Sequence, residues 1–169
     1  MKKYIFLVTS ILLVACTQTG SAPVFALKLD MVMKKNDSIQ VFYTTDGTIN
    51  FTEGQSFWTR VNGAKHNQTI ILPLPNDTIP TQLRIDFGRN RQQDDVVLNK
   101  IEIQYQKKAE EIKGRDIYTY FRVDDSYTVL DKDLGLLKRK QPGQLNGPSL
   151  YPNGEMLRQK LAEITTDKK

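Results

Sequence analysis

Between Gln82 and Tyr105 the chain reads Q-L-R-I-D-F-G-R-N-R-Q-Q-D-D-V-V-L-N-K-I-E-I-Q-Y, and apolar residues recur at alternate positions on both sides of a polar interruption. Leu83, Ile85 and Phe87 alternate with Arg84 and Asp86, while Val97, Ile101, Ile103 and Tyr105 are set against Leu98, Lys100, Glu102 and Gln104. Successive side chains of an extended backbone point to opposite faces, so this period builds a ribbon with one face for a core and one for water. Gly88 to Asp95 holds no apolar side chain and must turn the chain outside that core. The spacing predicts an antiparallel hairpin acting as the spine of a β-sandwich.

The rest of the chain repeats the pattern. Phe25, Leu27, Leu29, Met31 and Met33 alternate with Ala26, Lys28, Asp30 and Val32, which predicts a long strand followed by a turn over Lys34 to Ser38. Ile39, Val41 and Tyr43 define a second strand, with Phe42 as an apolar residue on its polar side. Phe57 to Val61 and Gln68 to Leu74 read as two more strands, the latter bounded by Pro73 and Pro75 at its end, where proline is tolerated. Lys107 to Gly114 favours one helical turn or a charged linker; Ile117 to Val123 and Tyr127 to Leu130 again read as strands. Gln141 to Asn153 carries Pro142, Gly143, Gly147, Pro148 and Pro152, a density of breakers that predicts irregular chain. Glu155 to Ile164 has a helical stripe of Met156, Leu157, Leu161 and Ile164. The expected fold is mostly β: an antiparallel, jelly-roll-like β-sandwich over residues 25–130, then a Pro/Gly-rich tail over 131–169 ending in a short C-terminal helix.

The N-terminus predicts a compartment. Lys2 and Lys3 precede an apolar run from Tyr4 to Val14, too short to span a bilayer but suited to a secretory leader. The run ends in Leu13-Val14-Ala15-Cys16, which resembles the lipobox of bacterial lipoproteins. That resemblance implies cleavage after a leader of residues 1–15, a diacylglycerol thioether on Cys16, and a tether over 16–24 that hangs the domain from a membrane face. Thr17 is not the aspartate that resembles an inner-membrane retention signal, so the outer membrane is the expected location. Loss of Lys2 and Lys3 takes the formal charge from +5 to +3, a balance that argues against a dedicated nucleic-acid binder. The single cysteine would be consumed by lipid, leaving the fold to an apolar core without disulfides.

Four segments together resemble the jelly-roll modules of bacterial envelope proteins, including galactose-binding-like and carbohydrate-binding modules. They are D-S-I-Q-V-F-Y from Asp37, F-T-E-G-Q-S from Phe51, L-R-I-D-F-G from Leu83 and V-V-L-N-K-I-E-I from Val96. The resemblance implies a sandwich fold more than an activity, since one such architecture carries many unrelated functions.

Residue chemistry points the same way. His66, the only histidine, lies in a polar loop, and no phosphate-cradling glycine loop is present, so neither catalysis nor a cofactor is expected. Asp94-Asp95, Asp124-Asp125 and Asp131/Asp133 read as solvated turns; Asp86 with Asn90 to Asp95 offers oxygens for a structural calcium. Trp58 falls on the face opposite Phe57 and Val61, beside Arg60, and offers a flat surface for a sugar ring. Tyr43, Tyr118 or Tyr120 would extend it. Lys138-Arg139-Lys140 reads as a solvated basic face or a contact for anionic headgroups, and Ser38 and Thr78 sit in D-[ST]-apolar triplets resembling bacterial O-glycosylation acceptors. The functional expectation is a lipid-anchored, non-catalytic binding module for a glycan or a protein. The alternative is an assembly accessory that docks on an envelope partner through its C-terminal segment.

Overall fold

A computed structural model describes residues 23–93 and 95–166; the leader expected over residues 1–15, Cys16 and the lipobox-like Leu13-Val14-Ala15-Cys16 lie outside the described residues. In chain order the strands are β1 (Phe25–Val32), β2 (Asp37–Thr44), β3 (Ser56–Val61), β4 (Gln68–Pro73), β5 (Gln82–Phe87), β6 (Val96–Tyr105) and β7 (Lys108–Lys113). A four-residue helix α1 (Ile117–Tyr120) leads into β8 (Phe121–Val123), β9 (Thr128–Asp131), β10 (Leu136–Arg139) and β11 (Ser149–Pro152), and helix α2 (Glu155–Thr165) follows. They form two antiparallel sheets packed as a β-sandwich. One sheet has the order β4-β1-β6-β10-β9, with β7 also paired to β6; the other has the order β3-β2-β5-β11-β8.

The core lies between the sheets. Phe25, Leu27, Leu29 and Met31 from β1, with Met33 just beyond it, meet Ile39 and Val41 of β2 and Leu83, Ile85 and Phe87 of β5, all fully buried. At roughly 25 cal/mol per Å² of apolar surface removed from water, side chains of this size contribute about 1.5–3 kcal/mol each, and this burial holds the two sheets together. The alternation read from the sequence thus identifies the inward residues of these strands.

The predicted hairpin between Gln82 and Tyr105 does not form. β5 and β6 lie in opposite sheets, β5 pairing with β2 and β11, and β6 with β1, β7 and β10. The connection leaving β5 at Gly88 crosses from one sheet to the other, so the two apolar faces oppose each other through the core instead of lying side by side. Within β6 the inward set also shifts: Val96 and Leu98 are buried with Ile101, Ile103 and Tyr105, whereas Val97 is not. The pairing with β1 skips Asn99, because Asp30 faces Lys100 and Met31 faces Leu98; this bulge reverses the parity of the strand's first residues.

Two other segments depart from expectation. Lys107 to Gly114, read as a helical turn or linker, supplies β7, which folds back on β6 through a tight turn with Gln106 at φ 52°. Ile112 is its buried residue, Glu111 meets Lys100 across the pair of strands, and Glu110 meets Lys160 of α2. The 131–169 tail is not separate from the sandwich: β10 pairs with β6 and β9, and β11 lies inside the second sheet between β5 and β8. Its prolines are compatible with that place. Pro148 precedes the strand and lends its carbonyl to the Phe87 amide at 2.8 Å, and Pro152 closes the strand. In α2, Leu157, Leu161 and Ile164 are buried as expected, but Met156 is exposed. Ile117 to Tyr120, read as strand, is helical.

The outer face of the first sheet carries an ion-pair network. Lys100 lies 3.1 Å from Asp30, 3.8 Å from Glu102 and 2.7 Å from Glu111, and Lys113 reaches Glu111 at 2.5 Å. Hydrogen bonds from Lys100 and then Lys113 hold the Glu111 carboxyl at about 2, against 4.5 ordinarily. A carboxyl depressed on folding adds stability that is present above its unfolded value and is lost as the pH falls toward the folded one. Glu111→Gln should therefore flatten the decline of melting temperature between pH 4.5 and 2, followed by circular dichroism at low salt. A slope equal to that of the unchanged chain would count against the network.

Candidate functional site

The outer face of the second sheet carries an unusual mixture of side chains. Pairing places Gln40 of β2 between Trp58 of β3 and Asp86 of β5, and Asp86 next to Ser149 of β11. The neighbouring row sets Phe42 beside Arg84, and Tyr151 beside Arg122 of β8. A short 3₁₀ turn, Glu53–Gln55, and the segments around Arg89, Tyr127 and Gly147 wall this face, leaving a cleft of about 290 Å³.

The cleft floor is rigidly organised. Arg84 donates from Nε and Nη2 to the two carboxylate oxygens of Asp86 at 2.8 and 2.6 Å. Its guanidinium lies over the Phe42 ring at 4.7 Å and over the Tyr151 ring at 4.5 Å. Phe51 meets both of those rings edge-on, with centroids 6.4 and 6.3 Å away. Such a cation held between aromatic faces gains electrostatically from both ring quadrupoles. Gln40, only 1% exposed, donates to Glu53 Oε2 at 2.7 Å and Ser56 Oγ at 2.9 Å, which fixes the direction of its amide. Arg122 lies 5.3 Å from the Tyr151 ring, and burial, the largest influence on Tyr151, pushes its hydroxyl above the ordinary tyrosine value.

Trp58 stands at one wall, 41% exposed, as its position opposite Phe57 and Val61 predicts. The Arg89 guanidinium lies 4.7 Å from its ring, so one edge of the platform is a cation from the β5–β6 arch. That arch is held by Asp37, whose Oδ1 accepts from the amides of Arg89 at 2.8 Å and Asn90 at 3.1 Å.

The other residues singled out from the sequence are distributed differently. Arg60 is exposed on the same strand as Trp58 but does not line the cleft. Tyr43 has the parity of Ile39 and Val41 and packs against the core, away from Trp58. Tyr118 is a buried residue of α1; burial pushes its hydroxyl up to about 12, and it borders a separate cleft between β8 and β9. Neither tyrosine extends the Trp58 surface. Phe42, Phe51 and Tyr151 do; Phe42 left a trace in the sequence as an apolar residue on a polar strand face, and Phe51 as the first residue of a jelly-roll-like segment.

His66 is exposed in its loop, and Asp131 Oδ1 accepts from the amides of Asp133 and Leu134, as a solvated turn does. Asp95 lies 3.6 Å from Lys138. Asp86, a candidate calcium ligand, is committed to Arg84, and no group of three or more acidic, histidine or cysteine residues among the described residues is placed to hold a metal ion. Ser38 lies in β2 and Thr78 directly follows the turn Pro75–Asp77.

Fold and cleft together define a β-sandwich with a polar-aromatic cleft on the outer face of one sheet. In comparisons with known proteins, no family model, no curated protein and no solved structure matches this chain.

Proposed function

We propose that the chain is a lipid-anchored, non-catalytic envelope module that binds a glycan in the cleft between Trp58 and Tyr151. The observation that carries this reading is the coexistence of an exposed indole with hydrogen-bonding groups already locked in place. A sugar ring is amphipathic: its C–H face stacks on an aromatic surface, and its hydroxyls need planar donors and acceptors at fixed positions. The Arg84–Asp86 pair and the Gln40–Glu53 pair provide such groups with little ordering left to lose on binding. The cleft sets Arg84 and Arg89 against Glu53, Asp86 and Asp124, one carboxylate more than its cations, which suits a neutral saccharide better than a polyanion.

The anchor rests on the lipobox-like Leu13-Val14-Ala15-Cys16, and an outer-membrane site on Thr17. No helix among the described residues is long and apolar enough to cross a membrane. Docking of a partner through the C-terminal segment is less well supported, because Leu157, Leu161 and Ile164 of α2 are already spent on the sandwich core.

Trp58 is the chain's only tryptophan, so its intrinsic fluorescence reads the cleft directly. Titration of the full chain with neutral oligosaccharides should shift that emission saturably. Trp58→Ala should weaken binding about tenfold or more, measured by calorimetry, with the urea midpoint nearly unchanged. An indole that ignores a broad panel of neutral and acidic oligosaccharides would remove the basis for the glycan.

A further inference from the structure

On the far side of the β5–β6 arch from Trp58 lies a second, cationic cleft. Its walls are Arg91, Gln93, Arg139, Lys140 and the turn Gln141 to Gly143, enclosing about 380 Å³. Arg139, at the end of β10, points its guanidinium under the arch, where Nε and Nη2 are shielded from solvent and meet no acceptor. Nη1 reaches only the Gln93 carbonyl, at 3.5 Å, the outer limit of a hydrogen bond. No carboxylate among the described residues forms an ion pair with it; burial is the main influence and pulls its pKa down, with Asp37 acting against that at longer range. Asp95, the acidic residue of the cleft, is paired to Lys138. Lys140 gives one donor to the Asp125 carbonyl at 2.9 Å and keeps its charge on the rim.

A guanidinium is a rigid fork whose geometry matches an oxyanion. A desolvated cation with unmatched donors, next to two more cations, is costly for the protein alone and favourable once a counter-charge arrives. Lys138-Arg139-Lys140 reads from the sequence as a solvated patch. The structure separates the three: Lys138 goes to Asp95, while Arg139 turns inward and is joined by Arg91 from a different loop. We propose that this cleft is a binding site for a phosphate-class oxyanion, with Arg139 as the half-buried fork and Arg91 and Lys140 as the rim. The site does not depend on the glycan reading. Its phosphate can come from a free phosphorylated solute or from the headgroup of an anionic lipid beside the anchor.

The test is thermal unfolding of the full chain in inorganic phosphate against chloride of equal ionic strength. A second arm is co-sedimentation with phosphatidylglycerol against phosphatidylcholine vesicles; leader and anchor contribute equally to every variant there. Phosphate at about ten times its dissociation constant should raise the melting temperature by about 3 °C or more. Arg139→Met should abolish that rise, and Arg91→Gln, at an exposed position, should weaken phosphate binding several-fold while leaving the fold intact if Arg139→Met does not. A preference for phosphatidylglycerol lost in these variants, without a response to free phosphate, assigns the phosphate to a lipid headgroup. Equal responses of the unchanged chain and both variants, or no response in either arm, overturn the site.

Discussion

Gly147→Ala is expected to destabilise the fold by about 3 kcal/mol, near the upper end of the cost of overpacking. A Cβ at this position would fall inside the van der Waals envelope of the Phe87 and Gly88 carbonyl oxygens. Those atoms cannot retreat, since Gly147 donates to the Gly88 carbonyl at 3.0 Å and Phe87 donates to the Pro148 carbonyl at 2.8 Å. The clash is backbone on backbone, so no rotamer relieves it. Relief would instead pull β11 from β5 and break the Ser149–Asp86 register under the Trp58 cleft. The effect would be read as a lowered urea midpoint, with Gly54→Ala as reference. Gly54 has only the Thr52 hydroxyl near a built Cβ, at 4.0 Å. If the two alanine variants unfold at the same denaturant concentration, the close approach of β11 to β5 is not what this structure shows.

The second large effect is expected at Asp37, the first residue of β2. Its carboxylate accepts from the Ser38, Arg89 and Asn90 amides through Oδ1 and from Gln93 Nε2 at 3.3 Å through Oδ2. It thereby ties the arch between the sheets to the second sheet, directly beneath Gly88 at φ 81°. Asp37→Ala strands these donors and should cost about 2–3 kcal/mol, the range for hydrogen bonds to a charged group. Asp37→Asn keeps one acceptor oxygen and should lose roughly half as much. Because Arg89 rests on Trp58, release of the arch should also shift the emission of the indole in the folded state. An alanine variant with unchanged stability and unchanged emission would show that the arch is held by other contacts.

How far the sequence reaches can be judged strand by strand. In β1, β2 and β5 the inward residues were legible because alternation is a local property: residues two apart share a face whatever the partner strand is. The outward position of Trp58 followed from the same rule. The bulge at Asn99 reversed parity within β6, and only its pairing with β1 reveals that. β7 and β11 were missed for different reasons. The charges of β7 resemble a helix surface until Lys100 is placed across from them, and a four-residue strand such as β11 is too short to show any period.

The candidate site was legible at Trp58 and, as an apolar residue on a polar strand face, at Phe42. Gln40, Arg84 and Asp86 belong to strands whose polar faces look ordinary one at a time; their meaning arises when β2, β3, β5 and β11 are set in register. Tyr43 and Tyr118 were plausible partners by residue type, but parity sends one toward the core and a helical turn buries the other. Local pattern alone thus determined that this chain is sheet, which residues face inward along most strands, and that an indole faces water. Strand neighbours, the two arms of the arch at Gly88, and the company kept by Arg84 and Arg139 were decided by the tertiary structure. Pairing joins residues far apart in the chain, and no short-range period encodes which distant edge a strand will meet.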